Sequence, residues 1–352
     1  MVSLGGQKKA IIGLDIGSSA IKVVHLNESK SGITLKSLGV ANLPPDAIVE
    51  GEIQEKAVIV DTIKKLLKAQ KSKIKRVCTS ISGYSVIIKK INLPTTTREE
   101  LLGIIELEAE QYIPFDISEV NIDFEILGQS EISEDQMDVV LVAAKKDIID
   151  SYIELLVDSG LIPAIVDVDN FALENAFTAN YQDQGGTVAL LDIGANKLNI
   201  NVIKGGVSLF TRDAPIGGAR VTEEIQDRFD LDYQTAESMK IGGLEAPDKG
   251  ALEDIVSRAV GNWAAETNRA IEFLRASYPD EELQSIYLSG GSSRVEGLDR
   301  YLAQETGVPV EIFNPLKNIG TDQRKFDPVY IEYIAPQFAI CIGLALRMGE
   351  EI

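Results

Sequence analysis

Several residue types are scarce in this chain of 352 residues, and each shortage excludes a class of chemistry. The single histidine, His25, excludes a Ser-His-Asp triad built on any other position and makes a histidine-rich metal site untenable. The two cysteines, Cys78 and Cys341, match no metal-ligand spacing and fit a reducing compartment. The longest apolar run, 334–346, contains Pro336 and is shorter than the roughly 20 residues of a membrane span. We therefore expect neither a signal peptide nor a membrane-spanning helix.

Positive charge is also in short supply. The formal net charge of −20 argues against nucleic acid as a ligand. Residues 1–100 nevertheless hold 16 Lys and Arg against 9 Asp and Glu, whereas the other 252 residues hold 18 against 45. This basic excess favours either a solvated helix face with its exit loop or a surface turned toward anionic lipid or an acidic partner. Its densest run consists of Lys64, Lys65, Lys68, Lys71, Lys73, Lys75 and Arg76.

One pattern occurs twice in the chain. An apolar run that ends in Asp-Ile-Gly spans residues 11–17 and again 188–194, and each copy precedes small polar residues and a second apolar run. The pattern predicts a strand, a tight turn and a returning strand, in which glycine lets the N–H groups of the turn approach an anion. Asp15 and Asp192, at the strand ends, are suited to hold a hydrated Mg²⁺. Two such hairpins facing each other would clamp a nucleotide polyphosphate.

Strand and helix patterns predict an α/β chain with interleaved domains. Residues 1–83 form the predicted first half. Residues 84–163 have the order strand, helix, strand, strand, helix, which indicates a small subdomain inserted between the two halves of the repeat. Residues 164–352 contain a connecting helix and the second half, including a helical subdomain at about 222–285.

The first helix of the insertion has a clear start signal. Thr97 and Glu100 form a capping box that predicts a helix through about residue 112. The apolar face predicted for this helix consists of Leu101, Leu102, Ile105 and Leu107.

Three glycine turns at the ends of apolar strands together resemble the actin-like ATPase superfamily, which includes actin, sugar kinases, Hsp70 chaperones and the cell-division protein FtsA. Residues 15–22 resemble the first phosphate hairpin of that superfamily, and residues 192–194 resemble the second. Residues 288–293 resemble its adenosine loop, and residues 236–240 resemble the segment that meets ribose and adenine.

The insertion narrows the resemblance to the FtsA-like branch, and the chain is similar to the PilM family of type IV pilus assembly. The segments that carry this similarity are 108–115, 143–147, 160–163 and 166–173, and the resemblance covers essentially the whole chain. It implies an actin-like (ribonuclease H-like) fold of duplicated α/β domains with an inserted strand-helix-strand-strand subdomain.

The resemblance also implies ATP and Mg²⁺ as cofactors and assigns the site. N–H groups of Gly17, Ser18 and Ser19 would hold phosphate oxygens, and Lys22 would neutralise phosphate charge. Asp15 and Asp192 would orient the waters around Mg²⁺, although such aspartates also form turns by themselves. Glu237 and Lys240 would flank ribose and base, or simply pair with each other. The other residues assigned to nucleotide binding are Gly194, Ala195, Asn196, Gly217, Gly218, Gly290, Gly291, Ser292 and Ser293.

The second hairpin departs from the superfamily pattern. Asn196 and Leu198 stand where actin and Hsp70 types often have Gly and Thr, so a donor to the γ-phosphate is missing. Hydrolysis also requires a group that orients water for in-line attack. Asp169 is the candidate for this catalytic role, and an N-cap role is its alternative. We expect ATP binding with slow turnover or none.

Resemblance to PilM implies a cytoplasmic scaffold that binds the cytoplasmic tail of a PilN-like inner-membrane protein, in the cleft between the insertion and the first half. It implies a link to pilus motor ATPases and a place at the inner membrane reached through the partner, with self-association as a further possibility. Two other functions stay open: an FtsA-like filament-forming protein and a hexokinase-like small-molecule kinase.

Overall fold

The computed structural model describes residues 10–130, 133–181 and 185–349. Its first five-stranded sheet has the order β10-β6-β1-β2-β3, in which β1–β3 form an antiparallel meander and β6 and β10 run parallel to β1. The strands are β1 (Ile12–Ile16), β2 (Ala20–Ser29), β3 (Gly32–Asn42), β6 (Arg76–Ile81) and β10 (Ile162–Val168), and a short hairpin of β4 (Ile48–Val49) and β5 (Glu52–Ile53) follows β3.

The second sheet repeats this topology with the order β13-β12-β11-β14-β15, again with three antiparallel strands followed by two parallel ones. Its strands are β11 (Thr187–Ile193), β12 (Leu198–Lys204), β13 (Val207–Ala214), β14 (Leu283–Ser289) and β15 (Val310–Ile312). The shared strand order confirms the duplicated actin-like α/β architecture that the repeated Asp-Ile-Gly pattern predicts.

The insertion follows β6 and is a three-stranded antiparallel sheet, β7-β9-β8, with one helix. Its elements are β7 (Val86–Pro94), α2 (Arg98–Ala109), β8 (Val120–Gln129) and β9 (Gln136–Lys145). The capping box is confirmed: Thr97 Oγ1 accepts from Glu100 N–H, and Glu100 accepts from Thr97 N–H.

The predicted apolar face of α2 is correct at two positions and wrong at two. Leu101 and Ile105 are buried together with Ala109, because positions four apart share one side of a helix. Leu102 and Leu107 are exposed, at 61% and 66%, because the helix packs along this one side only.

The last part of the predicted insertion, residues 146–163, packs on the first half. The helix α3 (Lys146–Asp158) buries Ile148, Tyr152 and Leu155 in a core shared mainly with the first half, and β10 belongs to the first sheet. The predicted domain bounds stay a prediction. The remaining helices are α1 (Lys56–Ala69), α4 (Asp169–Asn180), α5 (Ala219–Phe229), α6 (Tyr233–Lys240), α7 (Lys249–Ser277), α8 (Leu298–Thr306), α9 (Pro328–Ile334) and α10 (Ala339–Leu346).

Helix α10 packs between β1 and α4 at very short range. A Cβ at Gly343 would collide with the backbone oxygen of Ala172 in α4, and a Cβ at Gly13 would collide with that of Cys341 in α10. The Cys341 thiol donates to Gly13 O at 3.4 Å. This packing fixes β1, whose end carries the first hairpin turn.

The stretch Pro328–Leu346, which contains α9 and α10, has the length and hydropathy of a membrane span and is longer than the apolar run expected from sequence. In the 18-residue window that has this hydropathy, 67% is buried inside the fold, as in the core helices of soluble proteins. Its contacts with β1 and α4 account for its apolar composition.

Candidate functional site

The hairpin between β1 and β2 brings a carboxylate and a cation together. Asp15 lies directly across the ladder from Lys22, and Lys22 Nζ donates to Asp15 Oδ2 at 2.7 Å. The turn closes with Gly17 N–H donating to Ala20 O at 3.1 Å. Burial lowers the pKa of Lys22, but the Asp15 and Asp192 carboxylates outweigh this effect and hold it above its usual value.

The hairpin between β11 and β12 has the same backbone and different charges. Gly194 N–H donates to Lys197 O at 2.9 Å, which places Lys197 at the position of Ala20 in the first hairpin. Asp192 lies across the ladder from Asn199, where the first hairpin has Lys22. Asp192 instead accepts a hydrogen bond from Ser289 Oγ at 2.9 Å.

Both turns open into one cleft of about 670 Å³ between the two halves. Most of the residues assigned to nucleotide binding line this cleft, so the two hairpins predicted from sequence do face each other. Those lining it are Asp15, Gly17, Ser18, Ser19, Lys22, Asp169, Asp192, Gly194, Ala195, Asn196, Glu237, Lys240, Gly291 and Ser292.

Four assigned residues lie behind the cleft wall and shape it. Gly218 N–H donates to Gly194 O at 2.9 Å, and a Cβ at Gly217 would collide with the backbone of the second hairpin. Gly290 has a φ of +88°, and a Cβ there would collide with Ile193. Ser293 Oγ donates to Gly290 O at 2.7 Å. These residues set the backbone path and do not line the cleft.

Lys240 is saturated by protein partners. Its Nζ donates to Gly218 O at 3.0 Å, to Thr222 Oγ1 at 2.9 Å and to Glu237 Oε2 at 2.6 Å. Burial lowers its pKa despite the Glu237 carboxylate. Glu237 and Lys240 therefore form an ion pair, which was the alternative to contacting ribose and base. Both side chains also line the cleft.

The carboxylates of the two hairpins repel each other. Burial raises the pKa of Asp192 to about 6, and Asp15 and Asp169 add to this rise against the opposing effect of Lys22. A buried carboxylate with a raised pKa is stabilised by an added cation. Among the described residues, no three acidic, histidine or cysteine side chains cluster as a metal cage. The two carboxylates of Asp15 and Asp192 fit Mg²⁺, because this ion keeps several waters and uses one or two carboxylates plus phosphate oxygens.

Asp169 lies at the first position of α4, and both of its oxygens are engaged. Ser80 Oγ donates to Oδ1 at 2.6 Å, and Lys197 Nζ donates to Oδ2 at 2.8 Å. Burial alone would raise the pKa of Asp169, but Lys197 and the hydroxyl donors hold it below its usual value. The helix cap is Val168, without a side-chain cap bond, so this aspartate does not act as the N-cap.

Sequence reasoning missed Lys197 and its second acidic neighbour, Asp213. Burial raises the pKa of Asp213, Lys197 opposes the rise, and Asn199 Nδ2 donates to its carboxylate at 2.9 Å. Lys197 follows the turn residue Asn196 directly, and this position was the available signal. Its partner Asp169 lies on α4, so the sequence spacing of the two residues does not predict their ion pair.

Aromatic and cationic side chains that line the cleft were also missed. Tyr330 and Tyr333 of α9 line the cleft together with Tyr233 of α6. The Arg294 guanidinium lies 5.5 Å from the centre of the Tyr333 ring. Flat rings with a stacked guanidinium offer a surface suited to a planar base.

Comparisons with known proteins identify one family and, more distantly, a shared fold. The family model described as "Type IV pilus assembly protein PilM" matches residues 13–349. A solved PilM-PilN type IV pilus biogenesis complex is 31% identical, with a TM-score of 0.86, and the match covers 97% of this chain and 99% of that one. FtsA of Helicobacter pylori (strain ATCC 700392 / 26695) is 21% identical over 417 residues, covering 96% of this chain and 82% of FtsA. MreB5 of Spiroplasma citri bound to ADP shares the fold, at 12% identity and a TM-score of 0.52, covering 96% of each chain.

Proposed function

Because the chain belongs to the PilM family of type IV pilus assembly proteins, we propose that it is an ATP-binding scaffold for a PilN-like inner-membrane protein. The observation that carries the proposal is the pair of Asp-Ile-Gly hairpins that face each other across one cleft. The similarity to the PilM-PilN complex supports a PilN-like tail as the partner. The proposed location is cytoplasmic, at the inner membrane through this partner and linked to pilus motor ATPases.

In the proposed complex, the turn N–H groups of Ser18 and Ser19 bind phosphate oxygens, and Lys22 turns from Asp15 toward the phosphates. The N–H of Gly17, expected from sequence to join them, is instead used to close the turn onto Ala20 O. Asp15 and Asp192 hold the waters around Mg²⁺, which supplies charge neutralisation for the polyphosphate when bound. The base stacks at the wall formed by Tyr333 and Arg294, where the ring and guanidinium are already in contact.

We propose that ATP hydrolysis is slow or absent, because both oxygens of the Asp169 carboxylate already accept hydrogen bonds. A water-orienting group needs a free acceptor lone pair directed at the water. Ser80 and Lys197 occupy one acceptor position on each oxygen, and Lys197 stabilises the charge that a general base would use. Turnover would require Lys197 to move toward phosphate and release Asp169.

A polar contact supports coupling between the cleft and the partner site. Gly83 lies in the loop that joins β6 to β7, at the root of the insertion, with a φ of +86°. Its backbone N–H donates to Asp213 of the second half, and Asp213 lines the cleft. Lys197 lies near Asp213 as well as Asp169. A phosphate that attracts Lys197 would therefore change the electrostatic environment of the Asp213 carboxylate, which binds the loop at Gly83. The partner tail, placed between the insertion and the first half, would sense that change.

The test measures Mg·ATP binding by calorimetry and phosphate release by the purified protein, with and without a synthetic peptide of the neighbouring membrane protein's tail. We expect binding that the peptide changes, with little turnover. Fast turnover indifferent to the peptide would instead indicate an enzyme acting on a small molecule.

A matched pair of variants tests the cleft assignment. Asp15→Ala should abolish Mg·ATP binding, whereas Asp254→Ala, an exposed change on α7, should leave it intact. Normal Mg·ATP binding by Asp15→Ala would refute the site.

A further inference from the structure

A basic loop of the first half lies beside two exposed aliphatic side chains. The loop between α1 and β6 carries Lys71, Lys73 and Lys75, all exposed. Ile162 N–H donates to Lys75 O at 2.8 Å, and Ile162 pairs with Arg76 where β10 joins β6. The backbone ladder therefore fixes the start of β10 next to the end of the loop.

The aliphatic members of this surface are Val157, at the end of α3, and Ile162, at the start of β10. They are 57% and 53% exposed, respectively, although each is a large apolar side chain. Between them lies Gly160, whose Cβ position is 3.9 Å from Lys75 Nζ. The Lys75 ammonium group therefore lies beside the turn that joins the two aliphatic positions, and Lys71 and Lys73 precede it in the same loop. This surface is called here the basic edge: Lys71, Lys73, Lys75, Val157 and Ile162.

The acidic groups next to the basic edge are paired with lysines that lie outside it. Glu154 and Asp158 on α3 share Lys56, at 3.2 Å and 2.9 Å, so these three side chains keep one negative charge. Asp61 on α1 pairs with Lys65 at 2.5 Å. The three exposed lysines of the loop outnumber the remaining negative charge. The basic edge therefore has a net positive charge, although the formal net charge of the whole chain is −20.

We propose that the basic edge docks directly on an anionic lipid surface. Lysine stems lie along apolar surface while their ammonium groups reach lipid phosphates, and aliphatic side chains enter the layer between headgroups and acyl chains. The basic edge offers cationic and aliphatic groups together, which matches a lipid surface whose phosphates lie directly above its acyl chains. The acidic remainder of the chain is repelled by the same surface, so this contact also orients the protein.

This inference goes beyond the proposed function, in which the protein reaches the membrane through a partner. Each lysine near an anionic surface strengthens binding about fivefold. Loss of three lysines should therefore weaken binding on the order of 100-fold. The interaction should also fade as the Debye length falls from about 10 Å in 0.1 M salt to about 3 Å in 1 M salt.

The experiment is co-sedimentation of the full chain with vesicles of phosphatidylcholine, alone or mixed with phosphatidylglycerol. The charge variant is Lys71→Gln, Lys73→Gln, Lys75→Gln. Its matched control removes three exposed cations elsewhere, by Lys249→Gln, Arg275→Gln and Lys325→Gln. Thermal unfolding and Mg·ATP binding establish that each variant is folded.

We expect binding only to the anionic vesicles, about 100-fold weaker binding by the charge variant, and unchanged binding by the control. A second variant, Val157→Ser with Ile162→Thr, should bind several-fold more weakly with the same salt dependence. Equal binding to neutral vesicles, or wild-type binding by the charge variant, would overturn the proposal. So would binding to poly-glutamate without binding to vesicles, which would indicate an acidic protein partner. The salt dependence of the wild-type protein tests the proposal even if a variant fails to fold.

Discussion

Asp15 and Asp192 occupy matching positions in the two hairpins. Replacing each of them by asparagine should nevertheless change the free energy of unfolding in opposite directions. No cation of the described residues is bonded to Asp192, and burial raises its pKa from 3.8 to about 6. A rise of that size corresponds to about 3 kcal/mol at neutral pH. Asp192→Asn removes the charge and keeps an oxygen that accepts from Ser289. The variant should be about 2–3 kcal/mol more stable than wild type at pH 8 without nucleotide.

The difference should depend on pH in a defined direction. Because the pKa of Asp192 is raised in the folded state, the folded protein takes up a proton between about pH 6 and 4 while the unfolded chain stays ionised. Wild-type stability therefore rises relative to the variant as pH falls through this window. The advantage of Asp192→Asn should vanish near pH 4, and added Mg²⁺ should reduce it at pH 8.

Urea denaturation at pH 8 and pH 4.5, with and without Mg²⁺, measures this difference, and thermal unfolding should show a shift of about 4 °C at pH 8. Asp15→Asn is the matched comparison. It removes the 2.7 Å ion pair with the partly buried Lys22 and should destabilise by more than about 1 kcal/mol. If Asp192→Asn destabilises the protein at every pH, the view of this cleft as a site of carboxylate repulsion is wrong.

Gly343→Ala should destabilise by more than about 3 kcal/mol in urea denaturation, because its methyl group meets the Ala172 backbone. Gly103→Ala, in the interior of α2 with open space around it, should stabilise by about 0.5–1 kcal/mol, and equal effects of the two changes would contradict the packing described. Lys197→Met should destabilise the protein above pH 5 by leaving Asp169 buried without its cation. That loss should shrink as pH falls below about 4, since the pKa of Asp169 is depressed in the folded state; a pH-independent loss in the same titration would argue against the pair.

Sequence patterns predicted the parts of this structure that local chemistry determines. The Asp-Ile-Gly runs place Asp15 and Lys22 opposite each other because a hairpin with a short turn fixes the pairing of its strands. Thr97 and Glu100 predicted the start of α2 for a similar reason, since each caps the other within one helical turn.

Features that depend on contacts between distant segments were not predictable. Lys197 reaches Asp169 only because α4 and the second hairpin meet between the halves, and neither neighbourhood signals the other. Leu102 and Leu107 match a helical apolar pattern but lack a second surface to cover them, which composition cannot reveal. The packing of α3 on the first half was likewise not predictable, because its amphipathic pattern does not indicate which core it covers.

The closure of α10 over β1 has a consequence for biosynthesis. Gly13 and Cys341, which contact each other, are separated by 328 residues. At a translation rate of about 5–20 residues per second, α10 is synthesised roughly 15 s to a minute after β1. During that interval Ile11, Val24 and Cys78 remain without Leu344 and Ala345, their neighbours in the mature core. The first half therefore has an uncovered apolar surface during synthesis, until α10 has been made and packs on it.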